Sequence, residues 1–366
     1  MTLMRSALGA LFAVSVLALS ACAVEPEPVE NQVVAVVGEE EEVIEPEVPR
    51  HPLTGFQIGS SEVSGPSIAV KIDNTSSGRP QVGIAAADIV FEELVEGGVT
   101  RYLAVFHTAI PEEVGPVRSG RPQDADLVRA LGGVFVFSGV GNANVREILR
   151  GTDLQLVEHD TSGGTPDGEL FFRSSRKPAP WNLHISAAEL ASSYSALDAP
   201  VQQFTYESDP TQVSAVIAGE DAQSIRVGFS KGVESVWEWD EASATYLKFL
   251  SNGNPDTDAD GTQISATNVV VFTPNYFDVE GLPSAKIAGT RETAIVFSGG
   301  KTISGLFDAS VLGDPIQLLD GDEEPLTLAP GKTFILLPPG AGSTAGGVTP
   351  GFVAYESNGE TITRNI

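Results

Sequence analysis

Four short stretches concentrate the residues that could do chemistry. "KIDNTSSGRPQVG" carries Lys71, Asp73, Asn74, Arg79 and Gln81, and "EELVEGGVTR" carries Glu92, Glu96 and Arg101. "GPVRSGRPQD" carries Arg118, Ser119, Arg121 and Asp124, and "FFRSSRKPAPWNLH" carries Arg173, Arg176, Asn182 and His184. Most of these residues fall at strand ends or in turns, where α/β folds assemble their sites. A guanidinium fork matches a phosphate or carboxylate, and a helix start adds N–H groups. Arg118, Ser119 and Arg121 stand just before the helical pattern "DADLVRAL". Lys71, Asp73, Asn74, Arg79, Arg101, Arg118, Ser119 and Arg121 are therefore the candidate ligand-binding set, with an anion as the expected ligand. The opposing expectation is that the arginines pair with the 15 acids of residues 71–177. An enzymatic alternative uses Asp73, Glu92 or Glu96 as general base on a phosphate- or glycan-bearing substrate. That role needs a carboxylate whose pKa burial raises toward neutrality.

Other signatures are incomplete. "APGKT" at 329–333 resembles the end of a phosphate loop, but Leu326 replaces the required glycine. Ser138 lacks the glycine two residues before it that a nucleophile elbow requires. The four histidines are far apart and without metal-ligand spacing. No cofactor is expected. Asp256, Asp258, Asp260 and Gly261 in "DTDADG" match the first half of a calcium loop, but Thr267 stands where a bidentate glutamate is needed. An acidic β-turn explains the same residues. Calcium at Asp256, Asp258 and Asp260 is the metal candidate.

The sole cysteine, Cys22, closes a basic start, the apolar run "ALGALFAVSVLAL" and the small residues Ser20 and Ala21. The run is shorter than the ~20 residues of a membrane-spanning helix, and the layout is that of a signal peptide. Leu19–Cys22 resembles the bacterial lipobox, which implies cleavage before Cys22 and diacylglycerol on its thiol. One acyl chain anchors marginally and two or three anchor stably. Without a second cysteine the mature chain forms no internal disulfide, so its core must supply its stability.

Residues 23–49 hold nine glutamates, interspersed prolines and no lysine or arginine, the composition of an extended tether. The whole chain carries a formal charge of -28. That excludes general nucleic-acid binding and electrostatic attraction to anionic lipid headgroups. The expected location is the membrane's extracytoplasmic side, held by lipid. The expected partners are an anionic envelope ligand or a protein.

These sites need elements to position them. Eleven of the 21 basic residues fall in 71–177, whereas 206–366 holds eight against 22 acids. The charge distribution and the polar, proline-punctuated stretch near 196–222 divide the body. The expected organisation is a signal peptide at 1–21, lipidated cysteine and tether at 22–55, an α/β domain at 56–205, a β-rich domain at 206–345 and a flexible tail at 346–366. In the first domain "SIAVKID" reads as a buried strand, and two strands flank the Glu96–Gly97–Gly98 turn. "NANVREILRG" reads as a helix with an Asn cap and a Gly stop, and Ser186 with Glu189 as a capping box. In the second domain Ser298–Gly299–Gly300 reads as a hairpin turn. The fold class is α+β: an N-terminal α/β domain with a mixed sheet, then a smaller β-rich domain.

The long blocks "AVKIDNTSSGRPQVGIAAADIVFEELVEGGVTRYLAVF", "EEVGPVRSGRPQD" and "FVFSGVGNANVREIL" resemble the YerB-like bacterial lipoproteins, a family of unknown function. "FFRSSRKPAPWNLH" and, in the second domain, "AIVFSGGKTISGLF" and "LTLAPGKTFILLPP" match more loosely. The resemblance spans most of residues 60–340. It implies a lipid-anchored α/β domain followed by a smaller β-rich one, and it brings no catalytic residue.

Overall fold

The computed structural model describes residues 48–59, 63–160 and 166–366. Cys22, the expected signal peptide and the expected tether up to residue 47 lie outside the described residues, and the tether's expected end at residue 55 is corrected: residues 51–55 are buried, with Leu53 in the core. Glu47–Ile366 is one compact unit.

Its centre is an eleven-stranded mixed sheet. From one edge its main path runs Gln317–Leu319, Lys301–Asp308, Arg291–Ser298, Asn268–Phe272, Thr333–Leu337, Ile89–Leu94, Thr100–Phe106, Ile68–Asp73, Val134–Phe137, Gln155–Glu158. Both predicted regions thus contribute to one hydrogen-bonded sheet. The join is Thr333–Leu337, which runs parallel to Ile89–Leu94 on one side and to Asn268–Phe272 on the other. These strands read as near-continuous apolar runs because both faces are covered. Val134–Phe137 and Thr333–Leu337 are buried at every position.

One face is covered by helices Asp124–Val128 and Ala143–Arg150 and by the hairpin Tyr276–Val279/Leu282–Ala285. Asn142 caps the second helix, accepting from the Val145 N–H at 3.1 Å as its sequence predicts. Ser186 and Glu189 do not form the predicted capping box. Ser186 makes no side-chain cap, because its backbone pairs with Glu113 in a small three-stranded sheet.

The other face is covered by a six-stranded antiparallel sheet. Trp237, fully buried, meets Phe334 edge-on at 4.8 Å, and Phe297 meets both Tyr246 and Tyr355. Such ring pairs add about 0.5–1.5 kcal/mol each beyond their buried area. The hairpin at Gly299–Gly300 forms as read, both glycines at positive φ, a region other residues enter only with strain.

The expected flexible tail is corrected. Phe352–Ser357 pairs with Ser224–Ser230 inside the second sheet, and Glu360–Asn365 adds its edge. Val353 and Tyr355 are buried there, so the alternation in "FVAYES" is that of a half-buried strand. The glycine-rich lead-in masks it in the sequence.

The calcium reading is corrected too. Asp256 faces Lys248 at 3.4 Å and Arg79 at 3.9 Å. Asp258 accepts from the backbone N–H groups of Gly83 and Ala85 at 3.1 and 2.9 Å, and Asp260 from Thr262 at 2.8 Å. Each carboxylate points to a different partner, and no metal-competent group of three acidic, His or Cys side chains occurs among the described residues. The acidic hairpin is a latch: Asp258 satisfies the Gly83 and Ala85 N–H groups at the start of the short helical turn Ile84–Ala86.

Candidate functional site

The parallel strands Ile68–Asp73, Ile89–Leu94, Val134–Phe137 and Gln155–Glu158 all present their carboxyl ends at one edge of the large sheet. From Ile68–Asp73 the chain continues to Ile89–Leu94 on one side, and from Val134–Phe137 to Gln155–Glu158 on the other. The gap between these neighbours is a topological switch point, where open α/β sheets hold ligands. Here residues 117–120 enter it. Arg118 N–H donates to the Lys71 carbonyl at 2.8 Å, Ser138 N–H to the Arg118 carbonyl at 2.8 Å, and Gly120 N–H to the Gly139 carbonyl at 3.0 Å. The sequence places Arg118 and Ser119 at this crevice by backbone pairing, before any side chain acts.

Strand alternation then sorts the candidate residues. Register aligns Asp73, Arg101 and Glu93 across three strands on one face, with Lys71 two residues from Asp73 on the same side. It aligns Ile72, Tyr102 and Glu92 on the opposite face. The structure therefore brings Lys71, Asp73, Arg101, Arg118, Ser119 and Arg121 together. It sends Asn74 and Arg79 to the other side, where Asn74 donates to Glu92 at 2.9 Å and Arg79 Nε donates to Asn74 at 3.0 Å. The three proposed bases separate likewise: Asp73 and Glu96 stand with the first group, Glu92 with the second.

On the crevice side, Lys71 is fully buried and bridges Glu93 and Asp124, the latter at 2.7 Å. Burial pulls its ammonium down to about 8, while Asp124 works the other way. Asp124 also accepts from the Arg121 N–H at 2.6 Å. Arg121 grips Glu96 with two nitrogens, one at 2.8 Å, and Arg101 reaches Glu96 at 3.3 Å and the Ser119 carbonyl at 2.9 Å. Burial, reinforced by Arg121, lowers Arg101 to about 10. Burial acts to raise Glu96, but Arg121 and Arg101 outweigh it and hold the carboxyl down to about 2.

Glu96 gives a pH test. Its folded pKa lies below the ordinary 4.5, so the unfolded chain binds the proton first. Its contribution to stability is complete above about 4.5 and is lost as pH falls toward 2. Glu96→Gln is expected to flatten the loss of stability across that window in denaturant titrations. An unchanged slope would refute the assignment.

Asp73, buried, accepts from the Thr75 N–H and Oγ1 at 2.6 Å each and from Arg118 Nε. Gly78 packs so closely that a Cβ there would lie 2.4 Å from Asp73 Oδ1. Lys177 sits alongside, donating to the carbonyls of Gly78 and Pro80. Arg118 is thus held by one nitrogen on a braced carboxylate. Its two terminal nitrogens make no hydrogen bond to a described residue, and its side chain is 22% exposed. Counting Lys71, Arg101, Arg118, Arg121 and Lys177 against Asp73, Glu93, Glu96 and Asp124, the cluster carries one net positive charge within a chain of -28.

Sequence reasoning missed Glu93, Thr75 and Lys177. Glu93 had a signal: two adjacent carboxylates in an otherwise apolar strand must fall on opposite faces, so one shares a side with Lys71. The "FFRSSRKPAPWNLH" arginines pair locally instead, Arg176 with Glu113 at 2.9 Å and Arg173 with Asn182 at 2.9 Å. His184, buried, stands 2.8 Å from Glu113, and its desolvation lowers its pKa.

Residues 53–200 match the model for "Protein of unknown function (DUF3048) N-terminal domain", and residues 225–335 match its C-terminal counterpart. The chain is 27% identical over 299 residues to a Bacillus subtilis protein named "Putative lipoprotein YerB", covering 79% of this chain and 86% of that one. It superposes on the crystal structure of YerB from Bacillus subtilis with a TM-score of 0.66 at 24% identity, covering 79% of this chain and 96% of that one. Two matched domains in the right order, a relative along most of the chain and a shared fold agree: the chain belongs to the two-domain YerB-like family.

Proposed function

We propose that the mature chain is anchored by lipid on Cys22 to the extracytoplasmic side of the membrane. There it binds an anionic envelope component, or an acidic segment of a partner protein, at the Arg118–Ser119 crevice. The observation that carries this reading is Arg118 itself. Asp73 fixes its Nε, while its two terminal nitrogens make no hydrogen bond to a described residue at the switch point of the sheet. A preorganised guanidinium loses little freedom on binding and forms charge-assisted hydrogen bonds. Arg101 and Ser119 flank it, and the small positive balance favours an anion. Pyrophosphate, titrated calorimetrically into the mature chain, is the probe. Binding that depends on Arg118 supports the reading, and its absence overturns it.

The anchor has its own test. Cys22→Ser is expected to move the protein from the membrane fraction to the medium. Retention in the membrane would contradict lipid attachment at that thiol. Among the described residues no helix is long and apolar enough to cross a membrane. The general-base alternative lacks a supporting observation. Glu96 held near 2 is a weak base at neutral pH, Asp73 is committed to Arg118, and Glu92 lies across the sheet.

A further inference from the structure

The strand Glu360–Asn365 ends the six-stranded sheet, and no strand among the described residues pairs with its outer side. At six residues it is the longest edge strand among the described residues. The other edge of that sheet has two residues, and the edges of the large sheet have three and four. Natural edges are guarded by lysine, proline or a bulge. This one has no lysine or proline, and its register with Phe352–Ser357 is unbroken. Its centre, Thr361–Ile362–Thr363, is β-branched throughout, which favours strand pairing. The turn fixes which backbone groups are free. Asn358 and Gly359, both at positive φ, form a two-residue hairpin turn. Ser357 and Glu360 flank it as a hydrogen-bonded pair, and bonded positions then alternate along the ladder at Ile362 and Arg364. Thr361, Thr363 and Asn365 therefore turn their N–H and C=O groups outward.

The sequence of this edge fits a copy of itself. Read antiparallel about Ile362, "ETITR" places Glu360 opposite Arg364, Thr361 opposite Thr363 and Ile362 opposite its own copy. Opposite charges and paired threonines stabilise facing strands. The same register sets the outward-turned Thr361 and Thr363 against each other, so their N–H and C=O groups meet as hydrogen-bonded pairs on both sides of a twofold axis. The next register in either direction leaves both charges unmatched, and the one after sets like charges opposite. The side chains are prepared for this pairing. Arg364 lies over the Tyr355 ring at 5.5 Å, and its terminal nitrogens reach Ser304 at 2.5 Å, the Tyr355 hydroxyl at 2.8 Å and Glu220 at 3.4 Å. Its Nε makes no hydrogen bond to a described residue, and Glu360, exposed, has no ion-pair partner among the described residues.

We propose that a second copy of this chain pairs with this edge, joining two six-stranded sheets through an isologous, antiparallel strand pair. One strand pair is a small interface, so the dimer is weak. The chain's charge of -28 also opposes it, so the test belongs at physiological salt, where charges more than about 8 Å apart are screened. The inference does not rest on the Arg118 crevice. The test is sedimentation equilibrium of the mature chain carrying Cys22→Ser, which excludes association through lipid or an intermolecular disulfide. A monomer–dimer equilibrium at submillimolar concentration is expected. Thr363→Pro is expected to abolish it: the lost N–H points outward, and such an edge position tolerates proline, so the fold stands. Glu360→Arg is expected to weaken association about tenfold, since both charge pairs across the axis turn repulsive. Mixed with an Arg364→Glu chain, it is expected to associate more tightly than either variant alone, because the mixed pair restores opposite charges at both positions. A chain that stays monomeric to millimolar concentration overturns the proposal. So does a dimer indifferent to Thr363→Pro and Glu360→Arg, which would use another surface. A mixture no tighter than its components overturns the register, and the proposal with it.

Discussion

Lys71→Ala is expected to lower the midpoint of thermal unfolding by roughly 6–20 °C, the largest effect of a single substitution in the crevice cluster. Lys71, Glu93 and Asp124 are all inaccessible to solvent. Removing the shared cation strands two carboxylates in the interior, which typically costs about 3–5 kcal/mol. A chain of this size loses about 2–4 °C per kcal/mol. The ammonium adds little net stability over apolar residues of similar volume, because its own desolvation is unfavourable. The combined variant Lys71→Met, Glu93→Leu, Asp124→Asn is therefore expected to recover much of the loss. Asparagine at 124 keeps an acceptor for the Arg121 N–H. Scanning calorimetry of the single and combined variants checks this. A Lys71→Ala midpoint within about 2 °C of the parent would show that the carboxylates do not depend on Lys71.

Arg118→Gln is expected to weaken pyrophosphate binding by roughly ten- to a hundredfold. Charge-assisted hydrogen bonds contribute about 1.5–3 kcal/mol, and about 1.4 kcal/mol is a factor of ten. Arg118 is partly exposed, so binding is also expected to fall as ionic strength rises. The substitution leaves Asp73 its Thr75 partners, and folding should be little changed. Asp73→Ala differs: it releases Arg118 and leaves the Thr75 N–H without its acceptor, so affinity and stability fall together. Equal pyrophosphate affinity in parent and Arg118→Gln would remove Arg118 from the site.

The difference between these experiments reflects how the arginines are used. Arg121 and Arg101 are largely consumed by Glu96, as the expectation of internal pairing holds. Arg118 is only partly consumed. Lys71, chosen as a ligand-binding candidate, proves to be an interior charge beneath the crevice, out of reach of any ligand. The acidic loop at 256–262 is chemically suggestive in one dimension. In three it distributes its carboxylates between Arg79 and Lys248, the helical turn at Ile84–Ala86 and its own hairpin.

Much of this was open to reading because the forces involved are local. Apolar runs bounded by Gly and Asp turns mark buried strands. Asn142 before an amphipathic stretch marks a helix start, and Gly299–Gly300 between alternating residues marks a hairpin. The cysteine count and the charge of -28 are properties of composition and need no fold. What the sequence alone determined is therefore the element types, the α+β class, the acidic composition of residues 23–49 and the family.

Only the tertiary structure decided how those elements combine. Joining both regions in one sheet depends on Thr333–Leu337 pairing with Ile89–Leu94, a contact across more than two hundred residues that no local pattern encodes. Placing "FVAYES" inside the second sheet is equally nonlocal. The candidate residues are near one another in sequence, but a strand turns successive side chains to opposite faces. Cross-strand register then decides which of them meet, separating Asp73, Arg101 and Arg118 from Asn74, Arg79 and Glu92. One set of candidate residues in the sequence thereby becomes two groups on opposite faces of the sheet.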